Sequence, residues 1–141
     1  MNRDPDCVFC KIVSGEIPCH KVFEDDKTLA FMDVNPASEG HCLVIPKHHA
    51  PNLYEIPDDV MAATAASTWR VARAIDAALL PTGLNLVQAN GPGAVQSVLH
   101  FHFHVLPRWQ GDGDLKLNWG HNPGDHEKLA AVAERIRAAI E

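Results

Sequence analysis

The chain has 141 residues, 46% of them hydrophobic and 21% charged, with a formal net charge of −6. These proportions exclude disordered, collagen-like and coiled-coil classes, and the length suits one domain able to bury a core. The acidic balance argues against nucleic acid as a partner, because affinity for a phosphate backbone rests on clustered Lys and Arg. A small anionic ligand held by local groups stays open. Nine histidines are the compositional outlier.

Met1 to Asp6 is polar and acidic, without the basic and apolar regions of a secretory signal, and no apolar run approaches a membrane span. The expectation is a cytoplasmic protein with no membrane partner, whose Cys7, Cys10, Cys19 and Cys42 are reduced thiols. The Cys7-x-x-Cys10 spacing suits a metal or a redox pair better than a disulfide framework, whereas Cys19 and Cys42 read as small buried residues.

Further along, residues 20–24, 28–33 and 41–46 read as short strands, punctuated by Glu24-Asp25-Asp26 and by the Pro- and Gly-bearing stretch 35–40. Residues 58–80 carry a helical stripe of Val60, Met61, Thr64, Val71, Ala72, Ile75 and Leu79, with Asp58 as the expected cap and Pro81 and Gly83 as the stop. Residues 84–89 and 98–107 read as two more strands, joined by the Gly-rich stretch Asn90 to Ser97. After a tail rich in Gly, Asn and Trp, the spacing of Leu129, Val132, Ala133, Ile136, Ala139 and Ile140 predicts a C-terminal amphipathic helix. The fold class is α+β: a mainly antiparallel sheet of about five strands, one long helix packed on it and a C-terminal helix. No linker or repeat interrupts residues 1–141, which read as a single domain.

The chemistry concentrates in His100-Phe101-His102-Phe103-His104-Val105-Leu106. On a strand, alternate side chains share a face, so Phe101, Phe103 and Val105 are expected in the core, with His100, His102 and His104 together opposite. At roughly 3.4 Å per residue, the backbones of His100 and His104 lie about 13 Å apart. Imidazoles so spread cannot all bind one metal at about 2.0–2.1 Å. The spacing therefore predicts divided roles, and packing explains the phenylalanines but not the histidines.

His-Phe-His-Phe-His-Val-Leu-Pro resembles the His-x-His-x-His-x-x signature of the histidine-triad (HIT) superfamily of nucleotide hydrolases and transferases. The resemblance spans nearly the whole chain: Phe9-Cys10-Lys11-Ile12 with Gly15-Glu16-Ile17-Pro18, then Leu29 to Asp33, Gly40 to Lys47, and Gln96-Ser97-Val98. The branch it is most similar to is the bacterial Hint-like one. It implies a HIT-like fold that dimerises into one continuous sheet.

By the same resemblance, His102 is the nucleophile that attacks the α-phosphorus of a purine nucleotide and forms a nucleotidyl-histidine. Imidazole suits this because it is partly unprotonated at neutral pH. His104 would contact the α-phosphate and assist proton transfer, Ser97 would stand beside the leaving atom, and His41 would help set the tautomer of His102. Asp33 would accept hydrogen bonds from the ribose hydroxyls. Val8, Phe9, Ile12 and Phe31 would form the base slot, although each reads equally well as core packing. Asn90, Gln96 and Ser97, in the loop that carries Gly91-Pro92-Gly93, would contact the substrate, and the backbone N–H groups of that loop would approach phosphate.

Two positions depart from the family pattern: Val95 stands where Gly is usual, and Ala89 where Asn or Gln is. Cys7, Cys10, His49 and His100 match a structural zinc set found in some members, whereas His48 departs from that register. The function implied is hydrolysis or transfer at the α-phosphate of a nucleoside 5′-phosphoramidate or dinucleoside polyphosphate. One alternative is a nucleotide- or zinc-binding adaptor with little turnover, favoured by Ala89 and Val95. Another is a hydrolase that uses its histidines as metal ligands.

Overall fold

A computed structural model describes residues 2–141. The elements in chain order are α1 (Val8–Ser14), β1 (Lys21–Glu24), β2 (Thr28–Met32), β3 (Cys42–Pro46), α2 (Asp58–Leu79), β4 (Gly83–Val87), a 3-10 turn at Pro92–Ala94, β5 (Phe103–Arg108) and α3 (His126–Ala138). The five strands form one sheet in the order β1-β2-β3-β5-β4, with every neighbouring pair antiparallel. No helix among the described residues is long and apolar enough to cross a membrane.

Both faces of the sheet are covered, which explains why every residue of β2 and β3 is buried. Period-2 alternation divides them. Ala30, Met32, Cys42, Val44 and Val105 pack with Val71, Ala74 and Ile75 of α2 and with Leu129, Val132, Ala133 and Ile136 of α3. Leu29, Phe31, Leu43 and Ile45 face the other way and pack with Cys7, Phe9 and Cys10 of the N-terminal segment. Each fully buried aliphatic side chain contributes about 1.5–3 kcal/mol. On α2 the stripe Thr64, Ser67, Thr68, Val71, Ala74 and Ile75 is buried. Its hydroxyls are satisfied: Thr68 donates to the Thr64 carbonyl one turn back at 2.8 Å, and Ser67 meets the Thr28 hydroxyl of β2 at 2.7 Å.

Three details differ from the sequence expectations. A short helix, α1, occupies residues with no Ser, Thr, Asp or Asn at the cap. The Cys7 thiol takes that place by accepting from the Cys10 N–H at 3.4 Å, and Gly15 closes the helix at φ +86°. Helix α2 starts after Pro57 with no side-chain cap, and it ends at Leu80 in the left-handed region rather than at Gly83, which opens β4. Strand β5 begins at Phe103, so His100 and His102 precede it and only His104 lies on the ladder. Of the phenylalanines expected in the core, Phe101 is fully buried and Phe103 only half-buried, and His100, His102 and His104 are buried as well.

Candidate active site

Ladder register fixes the face on which the site forms. Phe31 pairs with Leu43, and Leu43 with His104, so His104 points to the α1 side of the sheet. Asp33, just beyond β2, and His41, just before β3, have the same parity, and the Asp33 N–H bonds the His41 carbonyl at 3.0 Å. Gly40 sets up this corner at φ +86°. A side chain there would run into Leu79 Cδ1 and meet Pro107 Cγ at 3.2 Å.

Hydrogen bonding then settles which nitrogen carries each proton. The Ala37 backbone N–H can only donate, and it reaches His41 Nδ1 at 3.0 Å. The proton of neutral His41 is therefore on Nε2, which lies 2.9 Å from His104 Nδ1 and 3.4 Å from Asp33 Oδ2. His104 Nδ1 accepts, leaving its Nε2–H as a donor. Burial and the neighbouring imidazole of His104 push His41 down to about 3, and burial with the nearby His102 pushes His104 down to about 3. Burial raises Asp33 to about 6, opposed by the Asn35 N–H on its Oδ1. At neutral pH the His41–Asp33 contact thus joins a neutral imidazole to a carboxylate. The sequence reading assigned His41 to His102; the structure directs it to His104 instead.

His102 is oriented by backbone. Its Nδ1 donates to the His100 carbonyl at 2.7 Å, so Nε2 bears the lone pair. Burial depresses its pKa, and the same backbone bond opposes the shift. The ring packs 4.8 Å from that of His104 and 5.2 Å from Phe9, both edge-on. Only 3% of the residue is exposed. An imidazole uncharged at neutral pH with its Nδ1 proton fixed is the form competent for nucleophilic attack through Nε2.

His100 faces away from this pair. Its Nε2 donates to the Pro46 carbonyl at 2.8 Å, which turns Nδ1 toward Cys7 Sγ at 3.4 Å, Cys10 Sγ at 3.7 Å and His49 Nδ1 at 3.2 Å. Cys10 Sγ and His49 Nδ1 are 3.5 Å apart. Tetrahedral zinc with Zn–S of about 2.3 Å and Zn–N of about 2.05 Å requires S···N separations of about 3.6 Å and N···N of about 3.3 Å. The observed donor set fits those dimensions, and all four ligand atoms lie within 4.8 Å of one another. His48 is turned to the backbone N–H of Asn2.

A cavity of about 190 Å³ opens beside His104, with Asp33, Ser97 and His121 in its wall together with Val95, Leu117 and Trp119; His102 is not among the residues that line it. Trp119 presents its ring edge-on to His41 and His104, with centroids 5.2 and 5.0 Å away. A larger cavity of about 670 Å³, lined by charged residues such as Arg108, Asp112 and Lys116, shares only Asn118 and Trp119 with it and contains no histidine. Of the expected base slot, Phe9, Ile12 and Phe31 cluster together, with Phe9 and Phe31 edge-to-face at 5.6 Å, whereas Val8 is 40% exposed. Asn90 and Gln96 do not line the 190 Å³ cavity. The Asn90 amide bonds the Leu53 N–H and Gln88, and the Gln96 amide bonds Gly91, Pro51 and Val98. Both amides brace the loop. The sequence reading gave Trp119 and the Ala37 N–H no role, since neither a backbone donor nor a Trp in an irregular Gly-rich tail carries a periodic signal.

The family model described as HIT domain matches residues 14–111. "Protein hit" of Bacillus subtilis is 46% identical over 99% of this chain and 100% of its own. The adenosine 5'-monophosphoramidase hnt1 of Schizosaccharomyces pombe is 40% identical over 95% of this chain and 98% of its own. Among solved structures, a HIT-like protein from Bartonella henselae superposes with a TM-score of 0.90 at 34% identity, covering 99% of this chain and 100% of that one. A zinc-bound histidine triad family protein from Mycobacterium smegmatis superposes with a TM-score of 0.82 at 38% identity, covering 95% and 92%. With this sheet, this trio of histidines and these likenesses together, the chain belongs to the histidine-triad (HIT) family.

Proposed function

We propose that the protein hydrolyses, or transfers from, the α-phosphate of a purine nucleotide through a nucleotidyl-histidine on His102. The observation that carries this reading is the tautomer chain: the His100 carbonyl holds the proton of His102 on Nδ1, leaving Nε2 free to attack. Attack forms the P–Nε2 bond as the bond from phosphorus to the leaving group breaks. The charge left on the ring is stabilised by the His100 carbonyl. The Nε2–H of His104, oriented through His41, reaches the α-phosphate and passes its proton to the leaving amine, which departs neutral, with Ser97 beside the leaving atom. Asp33 receives the ribose, and Phe9, Ile12 and Phe31, flanked by Val8, the base. Asn90 and Gln96 hold the loop in shape. Water then attacks the intermediate from the side that the leaving group vacated, returning a proton to His104 as the P–Nε2 bond breaks and His102 is released, with net retention at phosphorus. The likeness to the fission-yeast adenosine 5'-monophosphoramidase supports a nucleoside 5′-phosphoramidate as substrate.

Cys7, Cys10, His49 and His100 are proposed to hold a structural zinc, supported by the fit of their spacing and by the zinc-bound mycobacterial relative. The metal would tie α1 to the segment carrying the His100 carbonyl. The protein is further proposed to form a homodimer through β4, the last strand of the sheet, where Leu86 is 51% exposed.

The test is chromatographic assay of adenosine 5′-phosphoramidate, diadenosine polyphosphates and nucleotide sugars with wild type and His102→Ala. Wild type releases AMP from the phosphoramidate, and the variant loses at least about a thousandfold in kcat, because no other atom replaces the nucleophile. Tight nucleotide binding without turnover of any of these compounds would favour the adaptor reading instead.

A further inference from the structure

Val95 is a β-branched residue at φ +61°, a left-handed conformation that favours glycine and in which a β-branched side chain is an outlier. The loop imposes it. The 3-10 turn at Pro92–Ala94 closes with the Val95 N–H on the Pro92 carbonyl at 3.2 Å, and the next N–H, of Gln96, returns to Gly91 at 3.1 Å. The Gln96 side chain locks the same turn from the Gly91 N–H at 2.8 Å. Backbone strain of this kind persists where the surroundings over-determine it, and it concentrates at functional sites.

The strained side chain stands at the site. Val95 lines the 190 Å³ cavity with Ser97 and His104, and Leu117 and Trp119 line it too. Val95 is 47% exposed and Leu117 51%, so neither is there to fill the core. The wall contains no Lys or Arg; its titratable groups are the Asp33 carboxylate, anionic at neutral pH, and the imidazoles of His104 and His121. A wall with Val95, Leu117 and Trp119, one carboxylate and no ammonium or guanidinium group makes a poor receptor for a polyphosphate, whose charge needs cationic partners.

We infer that Val95 is a specificity-determining residue: its side chain, with Leu117 and Trp119, walls the leaving-group side of the cavity and restricts the reaction to small or apolar leaving groups, rejecting polyphosphates. The inference rests on the proposed attack at the α-phosphate, in which Ser97 marks the leaving-group side. Glycine would relieve the strain and remove the wall. Asparagine tolerates the left-handed conformation and keeps similar bulk, but presents a polar surface.

The experiment compares kcat/KM for adenosine 5′-phosphoramidate, its N-hexyl derivative and diadenosine tetraphosphate in wild type, Val95→Gly and Val95→Asn, with thermal unfolding of each. Wild type is expected to prefer both phosphoramidates. In Val95→Gly the ratio of phosphoramidate to tetraphosphate kcat/KM falls at least about tenfold, the scale of discrimination that a few methyl groups supply. Val95→Asn lowers the ratio of the N-hexyl to the unsubstituted compound. Unchanged ratios in folded variants, or a wild type that cleaves the tetraphosphate as readily as the phosphoramidates, would overturn the inference while leaving attack at the α-phosphate standing. No turnover of any of the three by wild type would overturn both.

Discussion

Asp33 illustrates how a side chain suited to a ligand can be a burden to the fold. Its side chain is 14% exposed beside His41, and burial raises its pKa from 3.8 to about 6. The native state therefore holds this proton to higher pH than the unfolded chain does. The stability associated with it is fully present below about pH 4 and is lost as the pH rises through about 6. Asp33→Asn, measured by urea unfolding, is accordingly more stable than wild type at pH 7 by about 1–3 kcal/mol, and the gain vanishes by pH 4. The same variant binds AMP more weakly by about 1.5–3 kcal/mol, the usual scale for a hydrogen bond to a charged group. A 2′,3′-dideoxy ligand loses little further affinity in it. Equal penalties for the sugar change in wild type and variant would remove Asp33 from the ribose. At this scale the sequence was informative about residue identity and less so about partners. Asp33, His41 and His104 could be named from the chain, but the pairing of His41 with His104 depends on the turn that brings the Ala37 N–H to Nδ1.

Among the elements, strands and long helices were legible because alternation and the 3.6-residue stripe are set by which face is buried. The boundaries of β2, β3, β4, α2 and α3 accordingly fall within a few residues of those expected. Helix α1 was not, since seven residues capped by a cysteine thiol carry neither a period nor an ordinary cap. The start of β5 was misplaced for a related reason: His100 and His102 alternate with phenylalanines as a strand would, yet their own hydrogen bonds run to Pro46 and to the local backbone. Strand β4 has β5 as its neighbour on one side, and a free edge with an exposed Leu86 is a template for a second copy. Leu86→Lys places a charge at that edge. Light scattering after gel filtration is expected to give a dimer mass for wild type and a monomer mass for the variant, with far-UV circular dichroism unchanged. A monomeric wild type at micromolar concentration would contradict pairing through β4.

Taken as a whole, the molecule divides its labour across two buried constellations on one side of the sheet. Cys7, Cys10, His49 and His100 gather α1 and the loops after β3 and before β5, while Asp33, His41 and His104 occupy the strand ends. His102 lies between them, taking its tautomer from the His100 carbonyl. If zinc occupies the first set, its binding energy is folding energy. Protein purified without added metal is then expected to contain about one zinc per chain by elemental analysis, and chelation is expected to lower Tm by about 10 °C or more. Less than a tenth of an equivalent, with thiols still reduced, would argue for unliganded cysteines.

The central claim is that His102 Nε2 forms a bond to phosphorus. Rapid quench of the enzyme with α-³²P-labelled adenosine 5′-phosphoramidate, followed by alkaline denaturing gels and peptide mapping, tests it directly. The account predicts a labelled protein that forms faster than product and decays to AMP, with the label on His102 and none in His102→Ala. Product release without any labelled protein, together with inversion of configuration at phosphorus, would contradict it.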